Sequence, residues 1–116
     1  MVGDLNIAQL ENAVSSHKQL LKIVSHTPIE VEKLNAVQSA GDWVDGVRHF
    51  TPETEKLYSW WSYRAPDWTR NDKGRRLDHV WVTPAMKRRL KAAKILKDAR
   101  GWTQPSDHVP VMVDLD

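Results

Sequence analysis

The clearest periodic pattern in the chain is a stripe of apolar residues in its first half. The stripe consists of Val31, Leu34, Val37 and Ala40. Their three-residue spacing places them on one face of a helix. The preceding segment Thr27-Pro28-Ile29-Glu30 has an N-cap residue, a proline at the first helical position and a glutamate two residues after it, as in a capping box. Because Gly41 offers the left-handed conformation that ends helices, the pattern predicts one helix over residues 28–40.

Four other stretches have the alternation or the valine and aromatic content typical of strands. They are residues 56–63, 77–83, 92–97 and 109–115. Pro84 is predicted to begin a short helix through about Leu90. Met1-Val2 is predicted to end a strand, because turn-forming residues follow at once. Residues 8–26 are predicted to be a loop with one helical turn. The predicted fold class is α/β (α+β) with mainly antiparallel strands.

Composition limits the chain to one domain. It has 116 residues, of which 41% are hydrophobic and 28% charged, and no apolar run reaches the roughly 20 residues that span a bilayer. Met1-Val2-Gly3-Asp4 lacks the basic and apolar stretches of a secretory signal, and there is no cysteine for disulfides. We therefore expect a single unit over residues 1–116, in the cytoplasm and without a membrane partner.

Positive charge is concentrated in the second half of the chain. The net charge is +2, but residues 51–116 contain 13 Lys+Arg against 9 Asp+Glu. This surplus permits a polyanionic partner, although a solvated charged face gives the same count. Six tryptophans stand against a single phenylalanine. Indole rings bind bases and sugars, and they also fill cores.

The first candidate for chemistry is Gly3-Asp4-Leu5-Asn6-Ile7, directly after the first strand. It places a carboxylate and a carboxamide two residues apart. If the strand geometry continues, both side chains face the same way and can meet one substrate oxygen. The carboxylate would take a proton and the amide would hold the orientation. Because Asp and Asn are also the commonest turn residues, a structural turn fits the same pattern.

The second candidate is Pro105-Ser106-Asp107-His108-Val109-Pro110, which sets an acid beside an imidazole at the entrance to a strand. At an irregular strand entrance both side chains can reach one site. Asp107 would then face a cation, and His108 would donate a hydrogen bond to a developing negative charge. The alternative is a capped turn with His108 at an exposed edge.

The third candidate is Asp78, an acid at the start of an otherwise apolar strand. If its carboxylate is buried, it must be paired or hydrogen-bonded, because desolvation would otherwise cost several kcal/mol. One possible partner is Arg76, in a structural ion pair. The other is a histidine from another strand, whose tautomer an Asp–His pair would fix. From the residues alone, the ion pair with Arg76 is the preferred interpretation.

The fourth candidate is an aromatic segment, Leu57-Tyr58-Ser59-Trp60-Trp61-Ser62-Tyr63-Arg64. On a strand, Trp61 and Tyr63 share one face, while Tyr58 and Trp60 share the other. Either one set builds the core and the other stacks on a base or sugar, or both sets are core. Basic residues that could contact phosphates follow closely. They are Arg64, Arg70, Lys73, Arg75 and Arg76.

These four motifs, in this order, resemble the exonuclease III/abasic-site endonuclease family. GDLN matches its GDxN motif, YSWWSYR its aromatic segment, GRRLD its R-[LI]-D motif and PSDHVPV its S-D-H-x-P motif. The resemblance runs from Gly3 to about Leu115 and implies the C-terminal half of a four-layer α/β sandwich of the endonuclease/exonuclease/phosphatase type. The family's metal-binding glutamate, early asparagine and phosphate-contacting tyrosine lie upstream of GDxN. We therefore expect residues 1–116 to be a partial domain, inactive alone.

The resemblance also implies roles for four catalytic residues. Asp4 would position or deprotonate the attacking water, and Asn6 would steady the nucleophile and the phosphate. His108 would contact the scissile phosphate. Asp78 would orient His108, so the resemblance replaces the ion-pair interpretation with an Asp–His pair.

The implied reaction is Mg²⁺-dependent hydrolysis of DNA in base-excision repair, with Mn²⁺ as a possible substitute. The implied metal-binding residues are Asp107, Asp4 and Asn6. The implied partner is duplex DNA with abasic sites or 3′ ends, and the full-length form would be a monomer. Trp60 and Leu77 would line a pocket for a flipped-out abasic sugar. The implied DNA-contacting residues are Trp60, Arg64, Arg75, Arg76 and Leu77.

Two alternatives stay open at the level of sequence. One is another phosphohydrolase of the same superfamily, such as an inositol phosphatase or a sphingomyelinase, because GDxN and SDH recur there. The aromatic segment and the basic loop 64–76 favour a duplex substrate instead. The second alternative is a non-catalytic remnant that binds DNA.

Overall fold

The computed structural model of the chain describes residues 1–9, 26–64 and 67–116. Its strands are β1 Val2–Asp4, β2 Val44–Asp45, β3 Asp78–Val82, β4 Leu90–Ile95 and β5 Val111–Leu115. One sheet has the order β1-β3-β2 and the other pairs β4 with β5, antiparallel throughout. The α-helices are α1 Pro28–Ala40 and α2 Trp68–Asn71. The predicted fold class, α/β with antiparallel strands, is confirmed.

Helix α1 begins and ends where the sequence predicts, but its ends are built differently. The Thr27 hydroxyl donates to the Glu30 carboxylate at 2.6 Å, and no side chain caps the helix amides there. Gly41 has φ −105°, so the left-handed residue is the next one, Asp42, with φ 50°. Of the apolar stripe only Leu34 is buried. The prediction that Gly41 would be left-handed was wrong.

Most of the predicted strands form, with shifted ends. β3 and β5 lie inside the predicted ranges, whereas β4 begins two residues before the predicted stretch. The segment Pro84–Arg89 is a 3₁₀ helix, and two further 3₁₀ helices are Arg48–Phe50 and Lys97–Gly101. No pattern in the sequence predicted the two-residue strand β2. The loop predicted for residues 8–26 lies almost wholly outside the described residues.

The predicted strand at 56–63 does not form. Its backbone hydrogen bonds divide between two other segments instead of following one ladder. The Ser59 and Trp60 amides donate to Arg75 O at 2.9 and 3.0 Å, and the Trp61 amide donates to Asp107 O at 3.0 Å. The segment 57–61 therefore joins the chain before β3 to the chain before β5.

The expected alternation of the aromatic side chains fails for the same reason. Tyr58 and Trp61 are both buried and pack with Ala99 and Val109 in one core cluster, while Tyr63 is exposed. Trp60 is half-buried. A segment that twists between two partners does not keep the two-residue period of a strand.

Within the described ranges, no helix is long and apolar enough to cross a bilayer.

Candidate active site

The register of β1 against β3 brings two of the predicted catalytic carboxylates together. Gly3 pairs with His79, and Asp4 pairs directly with Asp78. Directly opposed residues of an antiparallel pair have Cβ atoms about 5 Å apart, and like charges in that position repel. A positive group nearby would therefore stabilise the pair.

His108 supplies that group from the chain segment before β5. Its Nδ1 lies 2.8 Å from Asp78 Oδ2, and its Nε2 lies 3.6 Å from Asp4 Oδ2. An ionised carboxylate only accepts hydrogen bonds, so Nδ1 carries a hydrogen and donates it to Asp78. The Asp–His pairing of Asp78 that the resemblance implied is present, and the ion pair with Arg76 is not.

The charges around His108 favour its protonated form. Burial lowers the pKa of His108, but the hydrogen bond to Asp78 and the charges of Asp78, Asp4 and Asp107 outweigh burial and raise the pKa overall. The imidazole therefore keeps a hydrogen on Nε2 to a higher pH than a free histidine does. A protonated Nε2 can donate to an anionic oxygen.

The argument from two-residue spacing assumed that the strand continues to Asn6, but the strand does not continue. β1 ends at Asp4, and Asn6 has φ 53°, in the left-handed region. Its amide donates to Asp4 Oδ1 at 3.0 Å. The backbone of Asn6 thus restrains the Asp4 carboxylate, and this turn replaces the expected extension of the strand.

Asp107 is held by the aromatic segment. The Trp60 indole Nε1 donates to Asp107 Oδ2 at 2.9 Å, and the Arg75 guanidinium lies 5.3 Å from the centre of the Trp60 ring. Trp60 also bridges to His108 through its backbone. The structure therefore places Trp60, Arg75 and Asp107 beside His108.

Two of the predicted DNA-contacting residues are buried, which argues against their direct contact with DNA. Arg76 is 3% exposed, and its guanidinium donates two hydrogen bonds to Asp45, at 2.5 and 2.6 Å. Leu77 is 5% exposed and belongs to the core. A phosphate cannot reach a guanidinium that is buried and doubly bonded to a carboxylate. Arg64 is exposed.

Sequence reasoning missed three residues of this region. Ser59 is fully buried and bonded to Asp78, and Asp45 is the partner of Arg76. Trp102 is 60% exposed and lines a cleft of about 320 Å³ together with His108. Asp45 and Trp102 lie outside the four motifs and give no sequence signal. Ser59 lies inside the aromatic segment, where a small polar residue among large rings was the available signal.

One group of side chains in the described parts of the chain could hold a metal ion. Ligand atoms of Asp4, Asp78 and His108 lie within 4.8 Å of one another. Asp107 is not in this group. Carboxylate oxygens suit Mg²⁺, but Asp78 Oδ2 already accepts hydrogen bonds from Ser59 and His108. The half-exposed Asp4 carboxylate is therefore the best-placed ligand, and its oxygen atoms are of the type that a hard divalent cation prefers.

Comparison with known proteins identifies the family of this chain. The model of the endonuclease/exonuclease/phosphatase family matches residues 1–108. An exodeoxyribonuclease of Bacillus subtilis is 37% identical over 111 residues, which cover 96% of this chain and 42% of that protein. The resemblance that the four motifs carry is thus confirmed.

Solved structures share the fold. An AP endonuclease from Archaeoglobus fulgidus superposes with a TM-score of 0.94 at 26% identity, covering 99% of this chain and 44% of that one. The Neisseria 3′ phosphatase NExo, solved with a product DNA hairpin, gives 0.91 at 28% identity, covering 99% and 44%. This chain spans less than half the length of these relatives. It belongs to the endonuclease/exonuclease/phosphatase family.

Proposed function

We propose that this chain carries the phosphate-activating part of a Mg²⁺-dependent DNA phosphodiesterase that acts in base-excision repair on abasic sites and 3′ ends. The observation that carries the proposal is the line Asp4–His108–Asp78, in which one imidazole has a carboxylate at each ring nitrogen. The names of the relatives, an exodeoxyribonuclease and an AP endonuclease, support the choice of DNA.

Each member of this line has a separate role in the proposed hydrolysis. Asp4 accepts the proton of the attacking water as the water oxygen bonds to phosphorus. His108 donates Nε2–H to a non-bridging phosphate oxygen, whose negative charge grows in the transition state. Asp78 keeps Nδ1 protonated and the ring in place. Asn6 steadies the nucleophile and the phosphate.

A divalent cation fits the acidic side of the site. Asp4 would hold Mg²⁺ or Mn²⁺ together with Asp107 and Asn6. In the sequence, Asp107 is next to His108, and Asn6 is two residues after Asp4. When bound, the ion stabilises negative charge on the phosphate oxygens. The hydrogen bond from Trp60 to Asp107 leaves one oxygen of that carboxylate for such a contact.

The DNA strand would follow the aromatic and basic residues beside His108. Trp60, backed by Arg75, offers a flat ring to the abasic sugar. Arg64 and Arg75 are the proposed phosphate contacts. Arg76 and Leu77 are removed from this set because they are buried. We further propose a cytoplasmic location and a monomeric full-length form.

We expect the 116 residues alone to show no Mg²⁺-dependent cleavage of an abasic duplex. The chain covers only 42% of the Bacillus relative, and the family's further site residues lie upstream of GDxN in its members. The test is a chimera in which this chain replaces the matching 111 residues of that relative. Cleavage of the abasic duplex should appear in the chimera and vanish with EDTA. Robust turnover by the isolated chain would contradict this expectation.

Substitutions in the chimera test the assigned roles. Asp4→Asn and His108→Asn should each lower kcat by about 10²-fold or more, the usual range for a lost acid or base. Asp42→Asn and His49→Asn are the matched controls, because both side chains are exposed and outside the site. Full activity of a folded His108→Asn chimera would refute the proposal.

Release of phosphate from a lipid rather than from DNA would favour the other phosphohydrolases. Duplex binding without cleavage would favour the non-catalytic remnant.

A further inference from the structure

Ser59 is a fully buried serine whose hydroxyl makes three hydrogen bonds at the edge of the site. Its exposed fraction is 0%. The hydroxyl donates to Asp78 Oδ2 at 2.7 Å and accepts from the amides of Leu77 and Asp78, both at 3.1 Å. A hydroxyl has one hydrogen and two lone pairs, so its capacity is fully used.

The oxygen that Ser59 bonds is also the one that orients His108. Asp78 Oδ2 accepts both the Ser59 hydroxyl and the His108 Nδ1–H, at 2.7 and 2.8 Å. The backbone of Ser59 is fixed from both sides. Its amide donates to Arg75 O, and its carbonyl accepts from the Val109 amide, each at 2.9 Å. Ser59 is thus tied to the segments that carry Asp78 and His108.

We propose that Ser59 is a positioning residue of the site, which fixes Asp78 Oδ2 so that His108 keeps its hydrogen on Nδ1 and turns Nε2 towards Asp4. The inference deepens the proposed function and rests on it. In this arrangement Asp78 is the common acceptor of both hydrogen bonds. Ser59 and His108 both donate to Asp78, and Nε2 is the ring atom that remains for the substrate.

Removal of the hydroxyl should change this arrangement for a stated reason. Without Ser59 Oγ, the amides of Leu77 and Asp78 lose their acceptor, and a buried amide without a partner is unfavourable. The Asp78 carboxylate is the acceptor bonded to the same hydroxyl. We expect it to turn towards the two amides and to release His108 Nδ1.

The test is the tautomer of His108, read from its ¹⁵N chemical shifts in the chain labelled at histidine. Spectra are recorded with EDTA over rising pH until the neutral ring is reached, because the pKa of His108 is raised above the ordinary value of about 6.5. The unsubstituted chain should show the Nδ1–H form. Ser59→Ala should give a mixture of both tautomers, whereas Ser59→Thr, which keeps the hydroxyl, should retain Nδ1–H. Ser62→Ala is the matched control, because among residues 1–9, 26–64 and 67–116 that hydroxyl only accepts from the Arg64 amide.

An unchanged tautomer in a folded Ser59→Ala chain overturns the proposal, and so does a mixture in Ser62→Ala. If Ser59→Ala does not fold, Ser59→Cys takes its place, since a thiol is a weaker donor and acceptor. A pure Nδ1–H form in the cysteine variant would also overturn it. In the chimera, Ser59→Ala should lower kcat by about 10-fold and leave KM within about 2-fold. The tautomer is measured without any cleavage reaction, so a failure of this inference can be distinguished from a failure of the proposed function.

Discussion

At the scale of single residues, the pKa values of two histidines are shifted in opposite directions. His79 lies in β3, and His108 lies in the segment before β5. The pKa of His108 is raised, so its contribution to stability is present below the unfolded value and lost as pH rises through the folded one. Burial and the charge of Arg76 lower the pKa of His79, although its hydrogen bond to Ile7 O and two nearby acids act against this. Because this pKa is lowered, protonation of His79 should cost stability on the acid side.

We predict that His79 destabilises the fold as pH falls. Below about 6.5 the unfolded chain binds a proton that buried His79 does not, so the free energy of unfolding should fall by up to about 1.4 kcal/mol per pH unit. His79→Gln, which can still donate to Ile7 O, should reduce this slope. Urea unfolding between pH 5 and 8 measures it.

The control for this prediction is His49→Gln, because His49 is exposed and lies edge-on to the ring of Phe50, its neighbour in the sequence. It should leave the slope unchanged. An equal effect of the two substitutions would show that burial of His79 does not control the acid response.

At the scale of elements, the extended segment 57–61 replaces the strand that the aromatic pattern predicted. It lies between the chain before β3 and the chain before β5, and it contacts both through backbone hydrogen bonds. In addition, Ser59 holds Asp78 and Trp60 holds Asp107. One short segment thus positions both carboxylates next to His108.

The ion pair of Arg76 with Asp45 fixes β2 beside β3, and its loss should be costly. Asp45 also accepts from the amides of Val47 and Arg48, at 3.2 and 3.1 Å. We predict that Arg76→Met lowers the free energy of unfolding by about 3–5 kcal/mol, because it leaves a buried carboxylate without its cation. Urea unfolding at pH 7 measures the change.

The double variant Asp45→Asn/Arg76→Met tests whether the cost comes from the unpaired charge. It should be less destabilised than Arg76→Met, since an amide can still accept from the turn amides and carries no charge. If the double variant is as unstable as the single one, packing of the Arg76 side chain is responsible instead.

At the scale of the whole molecule, two groups of basic residues can be compared as candidates for binding DNA. One is the proposed pair of phosphate contacts, Arg64, which is exposed, and Arg75, whose guanidinium lies 5.3 Å from the centre of the Trp60 ring. The other is the exposed basic run on the 3₁₀ helix Pro84–Arg89, which follows the far end of β3 from Asp78. The net charge of the chain does not distinguish these groups, but their positions do.

We predict that only the proposed pair of phosphate contacts determines affinity for duplex DNA. Each lost phosphate contact lowers the slope of log affinity against log salt by about 0.9. Arg64→Gln/Arg75→Gln should therefore lower the slope by about 2, while Lys87→Gln/Arg88→Gln, with the same change in charge, should leave it nearly unchanged. Titrations of a labelled duplex at several salt concentrations measure both slopes. Equal losses would show that overall charge alone determines binding.

The sequence by itself determined what depends on local pattern. The apolar stripe and Pro28 determined helix α1, and β-branched residues determined β3 and β5, because these signals act within a few residues. The motifs also identified Asp4, Asp78 and His108. The resemblance implied the pairing of His108 with Asp78, which the structure contains. Only the tertiary structure decided that Asp45 is the partner of Arg76, because partners 31 residues apart are chosen by strand register and by burial, which local pattern does not contain.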